Sequence, residues 1–265
     1  MRIVIPIKQV PETNAVKMDP ETGTMIREGV EAIINPLDLY AIEAGLQLRE
    51  AHGGTVTVIS MGPPKANKAL REAMSMGCDD GVLLSDKAFA GSDTWATAYA
   101  LAAAIRESGE FDLVLCGERA TDGDTGQVGP GIAAFLDLPV ATYVSRIQQA
   151  GDGILRVTRL IEEGYEVLEV LGPAVLTVVK EIAAPRLPTL RGKQRAKKQD
   201  IPVRTAESLQ LEQEKLGLNG SPTRVVKIHR PSVTRDCQMH TATDEESVNQ
   251  AADRLIRFLE EKDLL

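Results

Sequence analysis

The hydrophobic positions of this chain alternate between short apolar runs and longer stretches in which apolar residues recur at helical spacing. The short runs predict strands that are buried on both faces, and the longer stretches predict amphipathic helices. Strands are predicted at residues 2–8, 55–60, 81–85 and 113–116, and helices from Asn35-Pro36 and at about 65–76, 93–108 and 131–138. Four strand–helix alternations with short loops predict an α/β fold with a doubly wound, mainly parallel, Rossmann-like sheet.

Residue types at the helix starts predict their caps. Asn35 is expected to cap the first helix, with Pro36 at its first position. Ser92 or Asp93 is expected to cap the helix that runs to about residue 108.

After Pro139 the pattern changes. Strands are predicted at 141–147, 154–160 and 166–171, joined by glycine-containing turns and therefore antiparallel, and at 174–181 as an edge or return strand of the main sheet. Residues 10–30 are polar and predict an excursion with a small hairpin. Residues 184–198 (APRLPTLRGKQRAKK) carry two prolines and a basic cluster, so we expect them to be extended on the surface.

The fourteen residues 117–130 (GERATDGDTGQVGP) lie between an apolar strand and an apolar helix. Their glycines let the backbone turn sharply and approach a ligand, and the helix start offers unpaired N–H groups that suit a phosphate. Asp122, Asp124, Thr125 and Gln127 add polar side chains that could hold ribose hydroxyls. The alternative is an ordinary strand–helix loop in which Asp or Thr caps the helix.

Ligands of doubly wound sheets lie beyond the carboxyl ends of the strands. This topology brings together residues 6–9, the helix start at Asn35, and residues 60–63, 91–97 and 117–130. The predicted organisation is a nucleotide-binding α/β domain over residues 1–183 and an extended C-terminal arm over residues 184–265. The arm ends in an amphipathic helix at 243–264, capped near Asp244, and has too little apolar content to fold alone. Such an arm is expected to pack on a partner chain.

Composition excludes several classes of function. The 265 residues carry a formal net charge of −8, which argues against general nucleic-acid binding because that needs a basic face. No apolar run is long enough to span a bilayer, and the N-terminus turns polar too soon for a signal peptide. The three cysteines form no CxxC pair and the three histidines are isolated, so no metal site is predicted. A reducing cytoplasm is the simplest expected location.

Six motifs lie in order along nearly the whole chain. They are IPIKQVPET near the start, INPLD at 34–38, SMGPPKA at 60–66, AMSMGCDDGVLL at 73–84, the loop 117–130, and APRLPTLRGKQRAKK at 184–198. This ordered series resembles the β (small) subunit of electron-transferring flavoproteins, and it is far more specific than a lone glycine-rich loop. The resemblance implies an adenine-nucleotide-binding fold, a larger α subunit that carries its own FAD, and a C-terminal arm that wraps that subunit.

The resemblance also implies a nucleotide site. In one group of the family the β subunit holds a structural AMP, and in the electron-bifurcating group the same pocket holds a second FAD that accepts hydride from NADH. The positions carried over are Pro6, Asn35, Pro36, Leu37, Asp38, Met61, Arg119, Ala120, Thr121, Asp122, Gly123, Asp124, Thr125, Gly126, Gln127, Val128, Gly129 and Pro130.

Two features favour the bifurcating group. Gly123 removes a side chain from a turn that must admit more than AMP. Residues 89–97 (FAGSDTWAT) look like the bifurcating type, and Asp93, Thr94 and Thr97 supply a helix N-terminus and hydroxyls for a second phosphate. The alternative is that this segment only caps a helix.

The function implied is an FAD-binding β subunit of the bifurcating type. One electron would pass to ferredoxin or flavodoxin, and the other through the α-subunit FAD to an acyl-CoA, enoyl-CoA or 2-hydroxyacid dehydrogenase. The alternative is the AMP-containing type, which exchanges electrons with an acyl-CoA-type dehydrogenase. Because the flavin carries the chemistry, no catalytic residue is nominated.

The family's partner-recognition loop maps onto residues 184–192, and its anchoring leucine onto Leu190, which would insert into the dehydrogenase. Leu190 could equally be an ordinary packed loop residue. A regulatory nucleotide-binding protein of the universal-stress type would share the sheet but needs no 80-residue arm. A usual Rossmann dehydrogenase is disfavoured because no GxGxxG follows the first strand.

Overall fold

The structure is a computed structural model that describes residues 1–12, 17–18, 25–26, 31–151, 153–226, 237 and 239–264. The chain divides into two compact units, Met1–Val226 and Lys227–Leu265. The strands described are β1 Arg2–Pro6, β2 Gln9–Pro11, β3 Lys17–Met18, β4 Met25–Ile26, β5 Ala32–Ile34, β6 Thr55–Met61, β7 Asp80–Leu84, β8 Leu113–Gly117, β9 Val140–Gly151, β10 Ile154–Ile161, β11 Gly164–Leu171, β12 Ala174–Val178 and β13 Val203–Arg204. The α-helices described are α1 Asp38–His52, α2 Asn67–Met76, α3 Thr94–Glu107, α4 Val128–Leu136, α5 Leu190–Lys198, α6 Gly217–Gly220 and α7 Glu245–Glu260.

Nine of the strands in the described residues form one sheet, in the order β11-β10-β9-β12-β8-β1-β6-β7-β13. Neighbours from β9 to β13 in this order are parallel, and β9, β10 and β11 pair antiparallel. The predicted mainly parallel sheet and the antiparallel strands that follow it are confirmed. Of the two alternatives predicted for 174–181, the return strand of the main sheet is confirmed and the edge position is wrong, because β12 lies between β8 and β9 and all five of its residues are buried.

Helices cover both faces of the sheet, which makes it doubly wound, as predicted. On one face, Ile42 of α1 and Leu70 of α2 pack in the same core as Ile5 of β1. On the other face, Leu101 of α3 packs in the same core as Val4. Val4 and Ile5, which are neighbours in β1, therefore lie in the cores on opposite faces of the sheet, because successive side chains of a strand point to opposite faces.

The first helix does not start where the sequence suggested. α1 begins at Asp38 with Leu37 at its N-cap position, so the predicted cap at Asn35 is wrong. By contrast, α3 begins at Thr94, and the Asp93 carboxylate accepts hydrogen bonds from the N–H groups of Trp95 and Ala96. Of the two predicted caps, Ser92 and Asp93, the structure has Asp93.

The segment expected to be extended at the surface contains a helix, so that prediction is wrong from Leu190 onward. Thr189 caps α5 by accepting a hydrogen bond from the Gly192 N–H group at 2.9 Å. Arg195 Nη2 donates to the carbonyl oxygens of Met74 and Cys78 at 3.0 and 2.9 Å, which fastens α5 to the end of α2. β13 then extends the sheet beside β7, so residues 184–226 belong to the first compact unit.

The predicted excursion at residues 10–30 is described only in part. β3 pairs antiparallel with β4, and β2 with β5, which confirms a small hairpin. Residues 13–16, 19–24 and 27–30 lie outside the described residues.

In the second unit, α7 is the amphipathic helix that the sequence predicted. Asp244 forms a capping box with Ser247, each side chain bonding to the other residue's backbone N–H group. Val248, Leu255 and Phe258 are each more than half exposed, and none of the described residues of α7 is buried. Throughout the described part of the chain, no helix combines the length and the apolar character needed to cross a membrane.

Candidate functional site

The chain changes direction across the sheet between β1 and β8. From β1 it continues to β6 and β7 on one side, while β8 and β12 lie on the other. β1 ends at Pro6 and β8 at Gly117, so residues 7–8 and 118–127 border the crevice at their carboxyl ends. In sheets of this kind the ligand binds at such a reversal. The structure therefore brings the loops after β1 and β8 together, as predicted.

Asn35 joins this crevice to the loop after β8. Its side chain is fully buried, its Nδ2 donates to the carbonyl oxygen of Arg119 at 2.9 Å, and its Oδ1 accepts from the Thr121 N–H group at 3.1 Å. These partners are more than 80 residues away along the chain. Asn35 is used for a long-range contact, which explains why it does not cap α1.

Asp38 extends the same network to the loop after β1. Its Oδ2 accepts from the Lys8 N–H group at 2.7 Å, and its Oδ1 accepts from Asn35 Nδ2 at 2.9 Å. Burial raises the pKa of the Asp38 carboxyl to about 7, although these hydrogen bonds favour the charged form. A side chain at Gly117 would collide with Asp38 Oδ1, so glycine at the end of β8 makes room for this carboxylate.

Charged side chains line the mouth of the crevice. Lys8 Nζ lies 2.6 Å from Asp122 Oδ1, which links the loops after β1 and β8 on the solvent side. Arg119 Nε lies 3.0 Å from Asp124 Oδ1. Both pairs are partly exposed, so they contribute little to stability and their charges are accessible to a ligand.

The glycines of the loop have different roles. Gly126 has a φ of +62°, a backbone conformation that favours glycine. A side chain on Gly129, in α4, would collide with Thr177 of β12, so this glycine lets the helix approach the sheet. A side chain on Gly123 would meet nothing within 4 Å, so space is open beside this residue.

Two helices begin next to this loop, and only α3 has a side-chain cap among the described residues. Asp93 occupies the first N–H groups of α3 and also accepts hydrogen bonds from the Thr223 N–H and hydroxyl groups at 2.9 and 2.8 Å. α4 follows Gln127 with no side-chain hydrogen bond to its first turn. Thr94 Oγ1 lies 2.9 Å from Gln127 Oε1 and joins the two helix starts. The uncapped N–H groups of α4 are the better anion site.

Most of the residues predicted for the nucleotide site lie on the elements around this crevice. Pro6 is buried at the end of β1, and Met61 is half-buried at the end of β6. Thr97 lies within α3, where its N–H group bonds to the Asp93 carbonyl oxygen. Leu190 lies elsewhere, at the start of α5, and is 81% exposed. Lys8 is not among the residues predicted from the sequence, although its position close after a buried strand is a signal for such a role.

Comparison with known proteins points the same way as the motifs. A model of the electron transfer flavoprotein domain matches residues 22–209. The electron transfer flavoprotein subunit beta of Thermoanaerobacterium thermosaccharolyticum is 49% identical over 256 residues, which cover 96% of this chain and 98% of that protein. This chain belongs to the electron transfer flavoprotein family. The family resemblance seen in the motifs is confirmed, and the regulatory and Rossmann dehydrogenase alternatives are set aside.

Two further relatives of this flavoprotein chain have names that mention their complexes. The caffeyl-CoA reductase-Etf complex subunit CarD of Acetobacterium woodii is 47% identical over 266 residues, which cover 100% of both chains. The acryloyl-CoA reductase electron transfer subunit gamma of Anaerotignum propionicum is 42% identical over 265 residues, covering 97% of this chain and 98% of the relative.

Proposed function

We propose that this chain is the β subunit of a heterodimeric electron transfer flavoprotein and binds FAD in the crevice between the β1 and β8 loops. The start of α4 carries the proposal. It follows a glycine-rich loop, has no side-chain cap among the described residues, and meets the start of α3 through Thr94 and Gln127. Such a helix start suits a phosphate, and family membership favours a flavin nucleotide over other ligands.

The residues of the crevice fit an extended dinucleotide. The N–H groups of Val128 and Gly129 would hold a phosphate, and the exposed carboxylates of Asp122 and Asp124 would hold ribose hydroxyls. Open space beside Gly123 leaves room for more than a mononucleotide. When bound, the flavin would supply the hydride and single-electron chemistry, and the protein would supply position and charge.

The proposed electron donor is NADH, and the proposed acceptors are a ferredoxin or flavodoxin and, through the α-subunit FAD, a dehydrogenase. The names of two relatives associate them with caffeyl-CoA and acryloyl-CoA reductases. These names support an acyl-CoA or enoyl-CoA dehydrogenase more than one that acts on 2-hydroxyacids. We propose the cytoplasm as the compartment, since Cys78 and Cys116 are free thiols.

Two exposed apolar features are proposed to contact partner proteins. Leu190, held out by α5, would insert into the dehydrogenase. In the second unit, the apolar side chains of α7 would pack on the α subunit as part of the proposed arm over residues 184–265.

One observation favours the alternative in which the β subunit holds AMP. The Asp93 carboxylate already occupies the first N–H groups of α3, so of these two helix starts that of α4 alone has first-turn N–H groups without a side-chain cap. Under this alternative the nucleotide is structural, and the chain only relays electrons for an acyl-CoA-type dehydrogenase.

A nucleotide count decides between the two. The chain is purified with its α subunit, the nucleotides are extracted, and FAD and AMP are counted by chromatography. FAD in both subunits without AMP supports the proposal, and FAD matched by equal AMP supports the alternative. A complex without nucleotide in the β subunit contradicts both. Anaerobic titration with NADH then tests the donor, because absence of flavin reduction contradicts that part of the proposal.

A further inference from the structure

We infer that Asn35 and Asp38 are positioning residues that form a proton-sensitive latch, which holds the β1 and β8 loops in the arrangement that binds the nucleotide. The inference rests on the proposed function for the identity of the ligand. It assigns these two side chains to holding the loops rather than to contacting the nucleotide.

The latch is a continuous set of buried hydrogen bonds. It runs from the Lys8 N–H group through the Asp38 carboxylate to Asn35 Nδ2, and from the Asn35 amide to Arg119 and Thr121. Asp38 is 6% exposed and Asn35 is 0% exposed, so water does not readily replace these bonds. Breaking one of them leaves a buried polar group without a partner, which is unfavourable.

The network requires the carboxylate form of Asp38. Both groups that face its oxygens, the Lys8 N–H and the Asn35 Nδ2, are hydrogen-bond donors. A protonated carboxyl has a donor of its own on one oxygen, so it matches only one of these two groups well. Protonation therefore loosens either the bond to the β1 loop or the bond to Asn35, which holds the β8 loop.

The surroundings place this titration near neutral pH. Burial raises the pKa of Asp38 to about 7, while the Lys8 ammonium group lowers it and the Asp122 carboxylate raises it. The Cys116 thiol on β8 is also close to Asp38, but its own pKa is raised by burial, so it stays neutral. A change in the Lys8–Asp122 pair by a bound ligand would therefore also shift this titration.

The test is the pH dependence of FAD affinity. The full chain, freed of nucleotide, is titrated with FAD between pH 5.5 and 8.5 while the fluorescence of Trp95, its only tryptophan, is followed. FAD is the first probe because the terminal phosphate of AMP titrates near pH 6. In the unmodified protein the Kd for FAD is expected to rise about tenfold from pH 8 to pH 6. The reason is that the fraction of protein with the Asp38 carboxylate, the form that binds, falls about tenfold when one proton titrates near pH 7.

Two variants separate the latch from other titrating groups. Asp38→Asn also presents a single acceptor to the two donors. This variant should therefore bind FAD weakly, with a Kd that is nearly independent of pH. Asp112→Asn is the control, because the exposed Asp112 likewise accepts from a backbone N–H group, that of Arg2, but at the amino ends of the strands, away from the crevice. This control should keep the profile of the unmodified protein. A flat profile in the unmodified protein, or an unchanged slope in Asp38→Asn, overturns the inference.

Amide hydrogen exchange separates this inference from the proposed function and does not need a variant. If neither FAD nor AMP binds at any pH, the proposed function fails, and exchange of the Lys8 and Thr121 amides in the unmodified protein decides the latch. Their protection, corrected for the intrinsic effect of pH, should be higher at pH 8 than at pH 6. Equal protection at both pH values contradicts the latch.

Discussion

The guanidinium group of Arg186 forms hydrogen bonds to the carboxylate of Glu43, a residue of α1 that is only 4% exposed. Nε and Nη2 of Arg186 donate to the two Glu43 oxygens at 2.8 and 2.9 Å, and the Arg186 N–H group adds a bond at 3.1 Å. This contact fastens the start of the segment that carries Leu190 to α1. Burial raises the pKa of the Glu43 carboxyl, but the bonds from Arg186 and Gln47 bring it below its usual value.

Arg186→Met should therefore lower the stability of the first unit. It leaves a buried carboxylate without its main partner, and we expect a loss of about 2–3 kcal/mol, below the range for fully buried pairs because Arg186 is partly exposed. Urea denaturation at pH 7 measures this loss. The loss should shrink in acid, since a depressed carboxyl pKa stabilises the fold above the unfolded-state pKa and that stability disappears as Glu43 is protonated.

Arg156→Met is the matched control for this prediction. Arg156 pairs with Glu169 across β10 and β11, but both side chains are about half exposed. Its loss should be below about 1 kcal/mol. Equal losses for the two variants would contradict the role given to Arg186.

Leu190→Ala should leave the fold unchanged and slow electron delivery to the dehydrogenase. Leu190 is 81% exposed, so its truncation removes little buried area, and we expect a stability change within about 0.5 kcal/mol. An interface anchor truncated to alanine commonly weakens binding by about 2 kcal/mol. Steady-state electron transfer at varied dehydrogenase concentration measures this effect, with flavin content as a check.

Leu187→Ala is the control for Leu190, because Leu187 is 84% exposed and lies in the same segment before the helix. The proposal places the anchor only at Leu190. If Leu187→Ala slows electron transfer as much as Leu190→Ala, the anchor is not specific to one residue. If neither variant changes the rate, Leu190 is not part of the interface.

The sequence predicted those features that depend on local pattern. Apolar runs predicted the strands, and a short acidic residue before an apolar helix predicted the Asp93 cap. The start of α1 was missed because Asn35 bonds to Arg119 and Thr121, contacts that no local pattern reveals. α5 was missed for the same reason, since Arg195 fastens it to carbonyl groups at the end of α2.

The sequence predicted which loops meet, but not how their side chains pair. The rule for doubly wound sheets places the loops after β1 and β8 together, because it depends only on the order of strands and helices. It did not reveal that Asp93 also accepts hydrogen bonds from Thr223, or that Lys8 spans the crevice to Asp122. Such pairings depend on side-chain geometry across the sheet.

Gly129→Ala should destabilise the protein, whereas Gly123→Ala should not. A Cβ atom on Gly129 collides with Thr177 of the buried strand β12, and overpacking of this kind costs about 1–3 kcal/mol, partly offset by better helix propensity. Gly123 is exposed with open space around it, so alanine is expected to change stability by less than about 0.5 kcal/mol. Thermal unfolding compares the two variants.

A larger side chain at Gly123 tests the space assigned to the dinucleotide. Gly123→Leu should fold normally but retain less FAD after purification, because the side chain would fill the open space beside the loop. The flavin content of the complex measures this. Full flavin occupancy in Gly123→Leu would mean that the nucleotide does not pass beside this residue.

The contribution of Asp38 to the stability of the fold changes with pH in the opposite direction to the contribution of Glu43. The folded pKa of Asp38, about 7, lies above the ordinary aspartate value of 3.8, so the folded state binds more protons than the unfolded state between these values. Stability from this group is therefore complete below about pH 4 and is lost as pH rises through about 7. Relative to the unmodified protein, Asp38→Asn should become more stable as pH rises in that window, by about 1.4 kcal/mol per pH unit.

Urea denaturation at pH 5, 6, 7 and 8 measures this difference. Glu43→Gln is the comparison, because the lowered pKa of Glu43 confines its pH dependence to more acidic solution and this variant should show no such slope from pH 5 to pH 8. The carboxylate form of Asp38 is costly to bury, yet it is the form that matches the donors of Lys8 and Asn35. If the latch positions the loops, Asp38→Asn gains stability at pH 8 at the same time as it loses affinity for FAD. A variant that loses both at pH 8 would instead indicate general damage to the fold, because no gain from removing a buried charge would then be seen.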